Sequence, residues 1–204
     1  MVWLGVKILV LSYGVGNIFS ISNALKRLGA EVIISREPAR AGGFDALVMP
    51  GVGSFAAAAE NIAPYREELR EKILNETPTL GICLGMQVMF EESEEGPGRG
   101  LEIFRGIVVA LPPSVKRPHM GWNTIKRVKD TPLMEGMEEA WVYFNHTYYP
   151  NPREANIIAA KAEYGVEFPA VISEKHIFGT QFHPEKSSKI GEQMLRNFMK
   201  IVKR

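Results

Sequence analysis

Short, nearly unbroken apolar runs alternate with helix-spaced apolar stripes through the first part of the chain. Lys7-Ile8-Leu9-Val10-Leu11-Ser12 is the first run, and residues 31–35, 45–49 and 79–82 are the next three. Such runs suit strands buried on both faces of a parallel sheet. Asn17 can cap a helix that carries Ile18, Ile21, Leu25 and Leu28 at helical spacing and stops at Gly29. Further helices are expected from Ser54, from Pro64 (a residue accepted at a first helical position) and over residues 84–91. The second half differs. Residues 107–111, 123–128, 141–149, 157–163 and 170–182 are rich in β-branched and aromatic residues, with Gly and Pro between them. They read as antiparallel strands. A last amphipathic helix over 187–202 places Ile190, Met194, Leu195, Phe198 and Ile201 on its inner stripe. Residues 91–98 read as a polar surface loop and 112–118 as irregular chain. The pattern predicts an α/β fold: a mostly parallel central sheet with helices on both faces, plus antiparallel strands in the C-terminal half. A single domain over residues 1–204 is expected.

Composition narrows the function classes. With 46% hydrophobic and 23% charged residues, the 204-residue chain matches a globular protein, and its net charge of +1 gives no reason to expect nucleic acid or an anionic membrane as partner. The single cysteine excludes an intrachain disulfide and fits a reducing compartment, so a cytoplasmic location is expected. Residues 1–7 are apolar but short, run straight into the first strand and lack a small-residue cleavage site, so no signal peptide is expected. No apolar run approaches the roughly 18–20 residues that span a bilayer. The four histidines show no metal-ligand spacing. Gly14-Val15-Gly16 lacks the third glycine of a dinucleotide fingerprint, since Phe19 stands there. Neither metal nor cofactor is expected.

The candidate chemistry centres on Gly81-Ile82-Cys83-Leu84-Gly85. A nucleophile on a tight strand-to-helix turn needs small residues two before and two after it, because the backbone crowds there. The turn would put Cys83 at the carboxyl end of the sheet and at a helix N-terminus, which favours a thiolate. The Leu84 N–H can face an oxyanion. A buried, inert cysteine between two packing glycines fits the pentapeptide equally well. Gln181-Phe182-His183-Pro184-Glu185 shifts the balance. On an extended segment His183 and Glu185 face one side, so the carboxylate can orient the imidazole that takes the thiol proton. The competing reading is a surface histidine beside a glutamate that starts the final helix. Pro50-Gly51-Val52-Gly53-Ser54 ends the third strand and can supply a second oxyanion donor from Gly51 or Val52; it also fits an ordinary loop with Ser54 as helix cap. His146 lies on an aromatic strand, His119 in a turn with exposed large side chains, and His176 in a solvated turn.

These residues carry a resemblance. Gly81-Ile82-Cys83-Leu84-Gly85-Met86-Gln87 with His183-Pro184-Glu185 resembles the class I, triad-type glutamine amidotransferases. Tyr13-Gly14-Val15-Gly16-Asn17, Pro50-Gly51-Val52-Gly53-Ser54-Phe55, Pro118-His119-Met120-Gly121-Trp122-Asn123, His146-Thr147-Tyr148 and His183-Pro184-Glu185-Lys186-Ser187-Ser188 are similar, within that family, to the glutaminase subunits of imidazole glycerol phosphate synthases. The resemblance implies a flavodoxin-like fold and hydrolysis of L-glutamine through a Cys83 thioester, with His183 as proton shuttle and Glu185 orienting it. It implies oxyanion donors at Leu84 and in the Gly51–Val52 region, and glutamine binding by Gly53, Gln87, Glu95, His146, Thr147 and Tyr148. It further implies a heterodimer with a (β/α)8-barrel cyclase that receives the ammonia. Asn17, His119, Met120, Trp122, Asn123 and Lys186 are the expected interface and ammonia-passage residues. Competing readings are a glutaminase subunit of another class I amidotransferase, a cysteine hydrolase of the same fold acting alone, and a non-enzymatic binding subunit.

Overall fold

The computed structural model describes residues 5–14 and 16–203. The apolar N-terminal residues 1–4 and Val15 of the glycine turn lie outside the described residues. The elements run β1 (Lys7–Leu11), α1 (Ile18–Arg27), β2 (Glu31–Ser35), β3 (Ala46–Met49), α2 (Phe55–Ile62), α3 (Arg66–Leu74), β4 (Thr79–Ile82), α4 (Leu84–Gln87) and β5 (Glu92–Ser93). Then follow β6 (Gly106–Ala110), β7 (His119–Arg127), β8 (Glu139–His146), β9 (Tyr148–Pro152), β10 (Ile158–Glu163), β11 (Glu167–Glu174), β12 (Ile177–Thr180) and α5 (Ser188–Val202).

A nine-stranded sheet has the order β2-β1-β3-β4-β12-β11-β10-β7-β8. It is parallel from β2 to β12 and antiparallel from β12 to β8. Side chains alternate faces along a strand. Ile8 and Val10 therefore join one core with Leu25 of α1 and Phe198 of α5, while Leu9 and Leu11 join another with Phe55 of α2 and Leu69 of α3. Two caps help set the helix starts: Asn17 Oδ1 accepts from Ser20 N at 3.2 Å, and Ser54 Oγ accepts from Ala57 N at 3.2 Å. Among the described residues no helix is long and apolar enough to cross a membrane.

Several expectations are corrected. The helix expected over 84–91 is a single turn ending at Gln87, after which the Leu101 and Gly100 amides bond to the Val88 and Glu91 carbonyls. Residues 119–122 are not a turn but the start of β7, in register with β8 from His119 opposite His146. Residues 141–149 break at Thr147 into strands of different sheets, since β9 joins β5 and β6 in a separate three-stranded sheet. Residues 170–182 contain a hairpin, β11 and β12. The polar segment after residue 90 contributes the short strand β5. His176 is half-buried rather than solvated, with Nε2 2.7 Å from the Ile73 carbonyl.

Candidate active site

The turn between β4 and α4 is built by exclusion of volume. Cys83 has φ 52° and ψ −107°, a conformation that costs a non-glycine residue free energy and persists only under surrounding constraint. The constraint comes from three glycines. A Cβ on Gly85 would collide with the Met49 carbonyl oxygen, one on Gly81 would lie 2.7 Å from the Gly85 oxygen, and one on Gly51 would overlap the Leu84 side chain. The Pro50-Gly51 turn therefore lies directly against the Cys83 elbow. Tyr13 braces that turn from the end of β1 by donating its hydroxyl hydrogen to the Pro50 carbonyl. Burial, with lesser effects from Cys83 and Tyr65, drives the Tyr13 phenol far above its ordinary pKa, so it stays a donor.

His183 and Glu185 meet next to this elbow. His183 Nδ1 is 3.0 Å from Glu185 Oε1, and both side chains are almost wholly buried. The pairing is held differently from the extended segment expected, because Pro184–Lys186 form a 3-10 turn that brings the carboxylate back under the ring. Burial pulls the imidazole down, but contact with Cys83 and with Glu185 outweighs it and raises His183 to about 10. Nε2 is buried and has no hydrogen-bond partner among the described residues. Glu185 accepts the Nδ1 hydrogen, so Nε2 is the ring nitrogen left to exchange a proton with the Cys83 thiol. The Cys83 sulfur contacts the Asn145 carbonyl at 3.8 Å and receives the Gln181 side-chain amide at 3.5 Å.

Cys83 opens into a cavity of about 270 Å3 lined by Val52, Gly53, Leu84, Gln87, Glu95, Pro118, Asn145, His146, Thr147 and Tyr148. The residues expected around glutamine thus line one cavity together with Val52, Cys83 and Leu84, whereas Gly51, His183 and Glu185 are not part of its lining. A larger cleft, about 610 Å3 between α2 and residues 97–99, contains none of them. Glu95 Oε2 accepts from the Phe55 amide at 2.6 Å at the start of α2, which leaves its other oxygen without a protein donor among the described residues. Gln87 Nε2 donates to the Tyr148 carbonyl at 2.8 Å. Sequence reasoning passed over Asn145, Pro118 and Gln181. Gln181 had a usable signal, because it opens the same short motif as His183, directly after the end of β12.

Comparison with known proteins gives the family. The family model of class-I glutamine amidotransferases matches residues 9–202. The chain belongs to that family. Imidazole glycerol phosphate synthase subunit HisH of Methanothermobacter thermautotrophicus is 44% identical over 197 residues, which cover 96% of this chain and 99% of that one. The HisH subunit of Saccharolobus solfataricus is 46% identical, covering 97% of this chain and all of its own. Among solved structures, PurLQS from Thermotoga maritima matches with a TM-score of 0.77 at 16% identity, covering 96% of this chain and 98% of that one. A crystal structure of a glutamine amidotransferase gives 0.74 at 20% identity, covering 97% of this chain and 99% of its own. At those identities the two structures share the fold.

In this amidotransferase the hexapeptide Pro118 to Asn123 is divided by the strand it belongs to. Alternation turns Met120 (61% exposed) and Trp122 (50%) outward and His119 (3%) inward. His119 is therefore not the exposed turn residue expected. Its ring stacks on Tyr164 with centroids 4.0 Å apart and on Phe144 at 4.7 Å, and Nδ1 lies 3.0 Å from His146 Nε2. Burial lowers His119 to about 4 and His146 to about 3, so both are neutral. Asn123 is half-buried and donates to the Glu163 carbonyl at 2.9 Å. Trp122 packs edge-on against Tyr143 of β8, and the exposed Lys186 holds its ammonium 5.9 Å over the Tyr143 ring. Asn17 is half-buried as the cap of α1.

Proposed function

We propose that this chain is the glutaminase subunit of an imidazole glycerol phosphate synthase in histidine biosynthesis, acting as a single domain. The observation that carries the reading is the buried His183–Glu185 pair, with Nε2 unpartnered, beside a cysteine on a strained elbow at a cavity. Near-full-length identity to the HisH subunits directs it to this member of the family.

The reaction follows from the groups present. Nε2 of His183 takes up the thiol proton, and the Cys83 sulfur bonds to the side-chain amide carbon of glutamine. The carbonyl oxygen becomes an oxyanion facing the Leu84 N–H and an N–H of the Gly51–Val52 region; loss of one such donor typically costs about 3–4 kcal/mol of barrier. The tetrahedral adduct collapses to the thioester, and ammonia departs with the proton from His183. Water then adds to the thioester, His183 again moving the proton, and glutamate leaves. Gln87, Glu95 and the backbone of residues 146–148, which line the cavity, hold the amino-acid end in this reading. Ammonia is protonated and diluted in bulk water, so its use depends on sealed transfer. Met120, Trp122 and Lys186 form the outward face suited to the (β/α)8-barrel cyclase, with Asn17 and Asn123 at its margin and His119 beneath it.

The test mixes the chain with a candidate barrel cyclase and measures complex formation and glutamate release with and without the cyclase's ribotide substrate. Release that rises with both partners is expected. Equal turnover of the chain alone favours the stand-alone hydrolase and overturns the partnership.

A further inference from the structure

Gln181 has no part in the scheme above, yet it is wholly buried against the nucleophile. Its amide belongs to a chain of hydrogen bonds whose direction is fixed at the far end. The Tyr148 carbonyl oxygen can only accept, and the Gln87 side-chain amide lies 2.8 Å from it, so Gln87 must present its NH2 there. That same NH2 lies 3.2 Å from the Gln181 amide, which must answer with its oxygen. Gln181 is then left facing Cys83 Sγ with its own NH2, at 3.5 Å. Flipping either amide sets like against like, so one orientation satisfies the whole chain. The anchor is itself held by a second donor. His146 Nδ1 lies 3.0 Å from the same Tyr148 oxygen, and its Nε2 is 3.0 Å from His119 Nδ1. Because both hydrogens of the Gln87 NH2 are taken, its Oε1 is left as the acceptor on a residue that lines the cavity.

We propose that Gln181 is a positioning residue for the reaction: it gives the Cys83 sulfur an N–H donor and locks the Gln87 amide with its oxygen toward the α-ammonium group of the substrate. An N–H at the sulfur holds it in place and stabilises the negative charge it carries as it attacks. An acceptor fixed by two bonds selects the ammonium end of an amino acid without first losing amide rotation. The substrate half of this inference rests on the glutaminase reading; the half at the sulfur does not.

The test uses the full chain, whose single cysteine makes iodoacetamide a specific probe of Cys83. In Gln181→Leu, alkylation at pH 7 should slow by about tenfold, the size of one lost hydrogen bond to an ionised group, and recover toward the wild-type rate near pH 10. Gln181→Glu, which offers no donor, should be slower still at pH 7. With the barrel cyclase present, the KM for glutamine should rise more than kcat falls. Wild-type alkylation at pH 7 in a folded Gln181→Leu protein overturns the inference whether or not glutamate is released, and an unchanged KM overturns its substrate half. If the Gln181 variants do not fold, Gln87→Leu keeps the test alive. It removes the group that orients Gln181 without touching the sulfur, so alkylation at pH 7 should slow by a smaller factor, and an unchanged rate there overturns the lock.

Discussion

Along β3 and β4 every residue is buried, on alternating faces, whereas along β7 and β8 one face is buried and the other looks outward. The two regions belong to one sheet and meet at β12, which pairs in parallel with β4 and antiparallel with β11. The difference shows how two requirements are kept apart. The parallel half, packed by helices on both sides, holds the Cys83 elbow in a conformation that a softer surrounding would release. The antiparallel half places the cavity wall, Asn145 to Tyr148, at the end of a strand whose outward face remains free for a partner.

Cutting the parallel half at its chemistry has the largest expected effect. Cys83→Ala should lower glutamine-dependent synthesis by the complex by about 10^4-fold or more while synthesis from added ammonia persists; loss of both would break the division of labour. Gly85→Ala strikes the same half structurally. Its Cβ meets the Met49 carbonyl, so urea unfolding should show a loss of about 4 kcal/mol or failure to fold.

pH separates the two halves by sign. His119 and His146, near 4 and 3 when folded, titrate near 6.5 when unfolded. Their contribution is whole above pH 6.5 and falls as pH drops toward 4, by up to about 1.4 kcal/mol per pH unit for each. His183, raised to about 10, has the opposite sign: its contribution is present below pH 6.5 and fades as pH climbs to 10. Unfolding midpoints at pH 5.5, 7 and 9 should show both limbs, and His119→Phe should make only the acid limb shallower. Trp122→Ala should leave the unfolding midpoint of the isolated chain unmoved but weaken the cyclase complex by about 2 kcal/mol, read as a Kd about 30-fold higher. Smallest is the exposed Lys126–Glu139 pair on the same two strands, where Lys126→Met should change stability by less than about 0.5 kcal/mol.

The contrast between halves also governs how much the sequence told. Unbroken apolar runs such as residues 45–49 and 79–82 announce strands buried on both faces, and the glycines around Cys83 announce the elbow. The antiparallel half is harder because His119 and His146 occupy buried positions that a polar residue does not announce. His119 is a core residue by virtue of stacking partners 45 and 25 residues downstream (Tyr164 and Phe144), which no local pattern displays. Gly121 further interrupts the alternation of β7. The helix after Cys83 ends early because Val88 and Glu91 receive amides from residues 100 and 101, a non-local pairing. Cys83, His183 and Glu185 stood out as parts of motifs. The link from Cys83 through Gln181 and Gln87 to the Tyr148 carbonyl joins three segments far apart in the chain and exists only in three dimensions.

One bond at the margin of the sheet has a wider consequence. β8 is an edge strand, and an edge offers unpaired amides and carbonyls to any passing chain. At its middle this offer is withdrawn: the Tyr143 amide donates to Ser187 Oγ, and the Tyr143 carbonyl accepts from the backbone N–H of His183. The segment that carries His183 is thus also the guard rail of the sheet. A foreign strand could pair there only by prying His183 away, so protection against aggregation and integrity of the active site are lost or kept together.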